Sequence, residues 1–277
     1  MEPAFIEANG VKLAYLEQGK GPLVLFVHGF PDTAYSWERV MPAVADLGFR
    51  AVAVFTRGYW PSEAKGPYDS DTLGADLIAL IEALGEDKAI LVGHDWGASA
   101  AYAAAGSRPD RVKMLITLAI PHPKSLKPTP LTVWRIRHFF SLGRKSGPAK
   151  ARKNNFAYID ELVRRWSPAW KDLPASETAR VKEAFSHEGC TEAACAYYAA
   201  FNPRKPPKGH RENIKVPTVS FAGTDDIIEP RAYEKARHCY DASYEVVQVP
   251  GGHFMHREHP TEFITELVRT LQEHARA

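Results

Sequence analysis

The chain has 277 residues, enough for one large domain with a sizeable core. It contains 35 lysine and arginine residues and 33 aspartates and glutamates. This near-neutral balance gives no electrostatic reason to expect nucleic acid or an anionic membrane as a partner. The three cysteines, Cys190, Cys195 and Cys239, follow no zinc or disulfide spacing and fit a reducing compartment. The chain shows no secretion signal and no apolar run near the ~20 residues of a membrane span, so we expect a cytoplasmic protein.

Eight short apolar runs are candidate strands, and longer amphipathic stretches lie between them. This alternation predicts an α/β fold with a mostly parallel sheet covered by helices. The first two runs, AFIEANG and VKLAYLEQG, alternate apolar and polar residues as antiparallel edge strands do. The runs ending in LFVHG, ILVG, LITLAI and VSFAG are apolar almost throughout, which suits central strands buried on both faces.

Helical periodicity appears at Asp71–Gly85, in the small-residue stretch ASAAYAAAGS and in the closing stretch TEFITELVRTLQEHARA. Residues 122–212 break the alternation, because they hold no good strand and contain helical stretches rich in Trp, Arg and Tyr. Prolines mark both ends of this segment. We therefore predict a helical lid at 122–212, inserted into an α/β core formed by residues 1–121 and 213–277.

The stretch ILVGHDWGAS predicts a strand, a sharp turn and a helix, with Asp95 at the tip of the turn. Gly93 and Gly97 flank Asp95 at two positions on either side, and small neighbours allow such a strained turn to form. The N-terminus of the following helix would favour a negative charge at this point. The simpler interpretation is that Asp95 only caps the helix.

Two further patterns supply partners for Asp95. The turn HGFP after an apolar strand would direct the backbone N–H of Phe30 towards Asp95, and the N–H of Trp96 would be the second donor of an oxyanion hole. Downstream, GTDD follows a buried strand, and His253 lies in a glycine-rich loop between a strand and the last helix. Taken singly, each of these features also has a structural explanation.

The motifs HGFPD, RGYWPS, GHDWGAS, AIPHP, GTDD and GGHFMHREHP resemble the α/β-hydrolase superfamily, in the branch that holds epoxide hydrolases and haloalkane dehalogenases. The resemblance extends over nearly the whole chain. It implies the α/β-hydrolase fold, with an eight-stranded, mostly parallel sheet and an inserted lid. It also implies a triad in the order nucleophile, acid and base: Asp95, Asp226 and His253. The family pattern Gly-x-x-Asp favours Asp226 over Asp225, which stays the second choice.

A carboxylate nucleophile suits displacement at a saturated carbon. The product is an alkyl ester on Asp95, which a base-activated water hydrolyses at the carbonyl of Asp95 itself. His253 would be this base, and Asp226 would hold its tautomer. This chemistry needs a small apolar organic substrate and water, and it needs no metal and no cofactor.

The resemblance implies that an epoxide hydrolase uses lid tyrosines to protonate the departing oxygen. The latter of the pair Tyr197–Tyr198 fits this role, so we assign it to Tyr198, although packing of the lid would also explain the pair. A first lid tyrosine is expected near Thr132–Phe140, a stretch that contains none. Tyr158 is the remaining tyrosine between the elbow helix and the pair, and we predict it to bind substrate together with Phe30 and Trp96.

A haloalkane dehalogenase is the alternative, since Trp96 directly after the nucleophile would serve as a halide donor. Phe30 stands where one type of dehalogenase has its halide-binding asparagine, which favours the epoxide. A non-catalytic ligand-binding protein of this fold is the third hypothesis. The turn FTRGYWPS departs from the family pattern, with Phe55 in place of an acid and Trp60 in place of a glycine, and we expect Arg57 to be structural.

Overall fold

The computed structural model describes residues 1–126 and 129–274, without the side chains of residues 131 and 132. An eight-stranded sheet forms its centre, in the order β1-β2-β4-β3-β5-β6-β7-β8. The pairs β1–β2 and β2–β4 are antiparallel and the other neighbours are parallel. All eight predicted strands are present: β1 Ala4–Ala8, β2 Val11–Gln18, β3 Leu23–Val27, β4 Arg50–Phe55, β5 Ala89–His94, β6 Val112–Leu118, β7 Thr218–Gly223 and β8 Tyr244–Val249.

Helices cover both faces of the sheet. Because successive strand residues point to opposite faces, Leu25 and Val27 of β3 join one apolar cluster while Val24 and Phe26 join the other. The helices of the described chain are α1 Met41–Asp46, α2 Ser70–Ala83, α3 Trp96–Ser107, α4 Pro130–Arg135, α5 His138–Leu142, α6 Gly147–Trp166, α7 Ala175–Ser186, α8 Cys190–Ala200, α9 Pro230–Lys235, α10 Met255–Glu258 and α11 Pro260–His274.

The packing of α2 against α3 explains the small residues of the elbow helix. The Asp69 side chain caps α2 by accepting a hydrogen bond from the Thr72 N–H. A Cβ on Gly74 would lie 2.8 Å from the Ala104 backbone nitrogen, so the two helices approach more closely than larger side chains permit. This close packing holds α3, and with it the residue at its N-terminus, firmly on the sheet.

Helices α4 to α8 lie between β6 and β7 and form the inserted helical region. Within it, α6 contains a left-handed turn, since Asn154, Asn155 and Phe156 have φ values of 51°, 52° and 60°. The described residues between Leu118 and Thr218 include no strand, as the sequence predicted. None of the described helices is both long enough and apolar enough to cross a membrane.

Candidate active site

Asp95 occupies a strained turn between β5 and α3. Its backbone angles are φ 52° and ψ −118°, a conformation that a residue with a Cβ rarely adopts. The flanking glycines are required by space: a Cβ on Gly93 would lie 2.5 Å from the Gly97 carbonyl oxygen, and a Cβ on Gly97 would lie 2.2 Å from the Val27 carbonyl oxygen. The turn is therefore built to present one side chain above the parallel strands.

The side chain of Asp95 contacts the loop that follows β3. The Phe30 N–H donates a hydrogen bond of 2.9 Å to Asp95 Oδ1. Gly29 makes room for this contact, since a Cβ at Gly29 would lie 2.4 Å from the Asp95 Cβ. The Trp96 N–H, the second donor expected from the sequence, makes no bond to the Asp95 side chain among those of the described residues. Of the two predicted oxyanion-hole donors, the Phe30 N–H is therefore the one that binds the Asp95 carboxylate in this structure.

The loops after β7 and β8 bring the remaining two members of the predicted triad to Asp95. His253 Nε2 lies 3.3 Å from Asp95 Oδ2, and His253 Nδ1 lies 3.2 Å from Asp226 Oδ1. The Ile228 N–H also donates to Asp226 Oδ1, at 3.3 Å. Asp225 is exposed and accepts a hydrogen bond from the Thr224 hydroxyl instead. The geometry therefore brings together Asp95, His253 and Asp226 and leaves Asp225 outside.

The charges at this site favour an imidazolium between two carboxylates. Burial disfavours the charged form of His253, but Asp226 and then Asp95 outweigh it and raise its pKa from 6.5 to about 10. Burial likewise disfavours the charged form of Asp95, but the hydrogen bond and charge of His253 leave its pKa below the ordinary value. In the free protein Asp95 is consequently an anion held between the Phe30 N–H and the His253 ring.

The loop that carries His253 is attached to the lid. The His253 N–H donates to the Trp166 carbonyl oxygen at 2.9 Å, and the Phe254 N–H lies 3.3 Å from the Ser167 hydroxyl oxygen. A Cβ on Gly252 would lie 2.5 Å from the Ser167 Cα, so the two segments are in direct backbone contact. The Trp166 ring also lies 5.1 Å from the His253 ring, centroid to centroid. The lid thus takes part in placing this histidine.

Tyr198 lies in α8 and reaches the oxyanion turn and the nucleophile elbow. Its ring packs edge to face against Phe30 at 5.1 Å and against Trp96 at 5.2 Å. Its hydroxyl is buried and meets no partner with hydrogen-bond geometry in the part of the chain that the structure describes. Burial, and then the charge of Asp95, raise its pKa well above the ordinary value, although the nearby Trp96 side chain lowers the pKa in part. The phenol therefore remains protonated close to the carboxylate.

Tyr158 occupies a different place. Its hydroxyl shares a hydrogen bond of 3.1 Å with the Ser141 hydroxyl, and the Lys150 ammonium lies 4.2 Å from its ring centroid. These residues, with Arg165, line a cleft of about 350 Å³ in the lid. Among the hydrogen bonds and ring contacts of the described residues, Tyr158 meets neither Asp95 nor the rings of Phe30, Trp96 and Tyr198, although its charge contributes to the raised pKa of Tyr198.

Some residues with clear structural roles carried only a weak sequence signal. The Arg57 guanidinium forms a buried ion pair with Asp76, and the Arg57 carbonyl accepts a 2.7 Å hydrogen bond from the Tyr197 hydroxyl of the lid. Trp60 stacks on His187 of the lid, with centroids 3.9 Å apart and planes 2° apart. The unusual turn RGYWPS therefore fastens the lid to the core, and Arg57 is structural as expected.

Asp32, His94 and His256 form a buried cluster whose nitrogen and carboxylate oxygen atoms lie within 4.8 Å of one another. These groups have the chemistry of metal ligands, but the Arg257 guanidinium already lies 3.2 Å from Asp32 Oδ2 and neutralises its charge. A metal cation placed here would be repelled by that guanidinium. The ion pair with Arg257 therefore accounts for the burial of the Asp32 carboxylate.

Comparison with known proteins identifies the family to which the chain belongs. A family model described as alpha/beta hydrolase fold matches residues 22–260. The AB hydrolase superfamily protein YfhM of Bacillus subtilis is 31% identical over 92% of this chain and 93% of its own length. Epoxide hydrolase A of Mycobacterium tuberculosis is 29% identical over 96% of both chains.

Among solved structures, an epoxide hydrolase of Bacillus megaterium in complex with an inhibitor superimposes with a TM-score of 0.85, at 25% identity over 97% of this chain and all of that one. The chain belongs to the α/β-hydrolase fold family. Within that family it lies in the epoxide hydrolase branch.

Proposed function

We propose that this chain hydrolyses small epoxides to diols through a covalent alkyl ester on Asp95. The observation that carries the proposal is the position of the buried Tyr198, whose ring packs against Phe30 and Trp96 and whose hydroxyl feels the charge of Asp95, the carboxylate held by Phe30 and His253. A phenol is the group that an opening epoxide needs, because the departing oxygen becomes an alkoxide and must take up a proton. The similarity to epoxide hydrolases supports the same assignment.

In the first step, Asp95 Oδ2 attacks an epoxide carbon. Oδ1 is held by the Phe30 N–H, so we assign the attack to Oδ2, which contacts His253 Nε2 in the free protein. The C–O bond of the epoxide breaks as the ester bond forms, and the departing oxygen takes the phenolic proton of Tyr198. The charge of Asp95 is lost in the ester, and the new negative charge resides on the phenolate.

In the second step, His253 activates water. The ester carries no charge, so the part of the raised pKa of His253 that Asp95 supplied disappears, and the imidazolium passes its proton to the phenolate. Neutral His253 then takes a proton from a water that attacks the Asp95 carbonyl carbon, whose oxygen charge the Phe30 and Trp96 N–H groups stabilise. Cleavage of the ester bond releases the diol, whose oxygen takes the proton from His253. The Asp95 carboxyl then passes the remaining proton of the water to His253, which restores the carboxylate and the imidazolium.

A haloalkane would use the same Asp95 ester but would need no proton donor. Tyr198 therefore separates the two substrate classes. With Tyr198→Phe we expect the rate of ester formation from an epoxide to fall by ~10²–10⁴-fold, since general acid catalysis is worth that range. Rates are measured by single-turnover mixing, with diol and halide assayed on matched panels of epoxides and haloalkanes.

Tyr244→Phe is the control, because Tyr244 is a buried tyrosine at the start of β8, on the edge of the sheet away from the loops that carry the triad. It should leave ester formation unchanged. The proposal fails if the parent releases halide and ignores every epoxide, or if Tyr198→Phe opens epoxides at the parent rate.

A further inference from the structure

His94 is the last residue of β5 and directly precedes Asp95. Its side chain is buried, and its Nε2 atom lies 2.9 Å from the carbonyl oxygen of His253. The rings of the two histidines lie edge to face, with centroids 5.1 Å apart. One side chain therefore connects the strand that leads to the nucleophile with the loop that carries the proposed base.

The hydrogen bond between His94 and His253 has only one possible direction. A carbonyl oxygen can only accept, so the hydrogen of the His94 ring lies on Nε2. Burial lowers the pKa of His94 to about 3, the charge of His253 lowers it further, and Asp95 and the His253 carbonyl oppose this only in part. At neutral pH the ring is therefore uncharged, and its single N–H donates to the His253 carbonyl oxygen.

The backbone of His253 is consequently held at both of its polar groups. Its N–H donates to the Trp166 carbonyl oxygen of the lid at 2.9 Å, and its carbonyl oxygen accepts from His94 of the core. Gly251 and Gly252 directly precede His253, and glycines give a loop little stiffness of its own. The position of this histidine therefore depends on the bonds that its backbone makes.

The bond from His94 becomes more important once an ester has formed on Asp95. In the free protein the negative charge of Asp95 attracts the His253 imidazolium and helps to hold its ring. The ester is uncharged, so this attraction is lost before His253 takes a proton from water. The contact with Asp226 and the two backbone bonds then remain to hold the ring beside the Asp95 carbonyl carbon.

We propose that His94 is a positioning residue that keeps His253 at the distance from Asp95 that hydrolysis of the ester requires. This inference rests on the proposed epoxide chemistry and adds a residue that acts through the base. His94 exchanges no proton in either step, because its N–H stays on Nε2 and holds the His253 backbone. Loss of this N–H should therefore slow hydrolysis of the ester much more than its formation.

The test compares His94→Leu, which removes the donor, with His94→Gln, whose side-chain amide can donate from near the position of Nε2. Styrene oxide is the probe, and rapid-quench mass spectrometry of the intact protein measures formation and decay of the ester separately. We expect decay to slow by about 10²-fold in His94→Leu, since small displacements of reacting groups cost about that much. His94→Gln should recover most of the parent rate of decay, and ester formation should stay close to the parent rate in both variants.

His122→Leu is the matched control. His122 is also buried, burial also lowers its pKa to about 3, and its ring packs against Tyr102 and Tyr240. This variant should form and hydrolyse the ester at the parent rates. A second measurement needs no substitution: nitrogen-15 NMR of the imidazole nitrogens of the parent protein should show the hydrogen of His94 on Nε2.

Parent-like decay of the ester in His94→Leu overturns the inference, and so does a His94 hydrogen on Nδ1. Equal slowing in the Leu and Gln variants also overturns it, because that result would indicate packing alone. If the parent forms no ester with any epoxide, the proposed function itself falls. An active parent with an unaffected His94→Leu variant removes only the role of His94.

Discussion

His253 lies between two carboxylates of which only one changes its charge during the proposed reaction. Asp226 keeps its charge throughout, while Asp95 loses its charge on forming the ester. In the proposed reaction the histidine is therefore an ion-pair partner in the free protein and a base once the ester has formed. The proposal thus gives one side chain two roles, orienting the nucleophile first and activating water afterwards.

Replacement of this histidine should separate the two steps. In His253→Gln we expect the ester on Asp95 to form and then persist, because the imidazole that contacts Asp95 Oδ2 and would activate water is removed. Intact-mass spectrometry after mixing with styrene oxide should show the mass of the protein plus one epoxide. Asp226→Asn should also accumulate the ester, but less of it than His253→Gln. Asp225→Asn should turn over substrate at the parent rate. An Asp225→Asn variant that accumulates ester would transfer the acid role to that residue.

Gly29 is a position at which the addition of a single Cβ atom should change the rate of ester formation. In Gly29→Ala the new Cβ would have to share space with the Asp95 side chain, at 2.4 Å from its Cβ. We expect ester formation to fall at least ~10²-fold as the carboxylate leaves the Phe30 N–H, since small displacements of reacting groups cost about that much. Steady-state diol formation is the measurement.

Gly48→Ala is the control for this change. Gly48 has φ +83°, yet a Cβ there would meet nothing within 4 Å. It should lower stability by about 1 kcal/mol through backbone strain and leave the rate untouched. Equal rates in the two alanine variants would show that Asp95 does not depend on the space at Gly29.

At the scale of elements, α7 carries the most buried of the described ion pairs between the lid and the core. Glu177 accepts from Arg257 at 3.0 Å and from Arg39 at 2.6 Å, and Arg257 in turn pairs with Asp32. The side chains of Glu177 and Arg257 are only 9% and 5% exposed, so their charges are poorly compensated by water. The lid is thus held to the core by charge as well as by apolar packing.

Glu177→Gln should therefore cost about 3 kcal/mol of unfolding free energy, because it leaves Arg257 buried with less compensation. Glu183→Gln on the same helix is the matched control: its partner Arg180 lies 3.6 Å away and both side chains are more than half exposed, so the change should be within about 0.5 kcal/mol. Urea unfolding of the three proteins at low salt measures the difference. Similar midpoints for both variants would contradict a structural role for the Glu177 pairs.

For the whole molecule, the raised pKa of His253 links stability to pH. The pKa is about 10 in the folded state against 6.5 for the free side chain, so folding binds a proton above pH 6.5. The stabilisation is complete below about pH 6.5 and is lost as the pH rises through about 10. Between pH 7 and 9 the parent should lose about 1.4 kcal/mol of unfolding free energy per pH unit from this group. His253→Gln should lack that slope, and a variant as steep as the parent would refute the link.

The sequence was most informative where a pattern reflects a local physical requirement. Eight strands and the helix after Asp95 could be predicted because periodicity reports burial, and the glycines of the elbow because a Cβ there would collide with backbone. The proximity of Asp95, Asp226 and His253 followed from a motif order that was recognised rather than derived. The lid boundaries at residues 122 and 212 and the catalytic roles stay predictions.

The lid was harder to predict because its contacts are non-local. Trp60 stacking on His187 joins residues more than a hundred positions apart, and nothing in the turn RGYWPS indicates that partner. Tyr158 was predicted at the substrate because it is a tyrosine in the lid, whereas its position was fixed by packing with Ser141 and Lys150.

The contact between the His253 loop and the lid limits how this protein can be recombined with its relatives. The Trp166 carbonyl and the Ser167 hydroxyl belong to the lid by chain order, yet they hold the backbone of residues 253 and 254 in the core. A chimera that takes its whole lid from a donor protein replaces these holding groups together with the substrate pocket. The crossover is better placed before Trp166, so that residues 166 and 167 are inherited with the core whose backbone they hold.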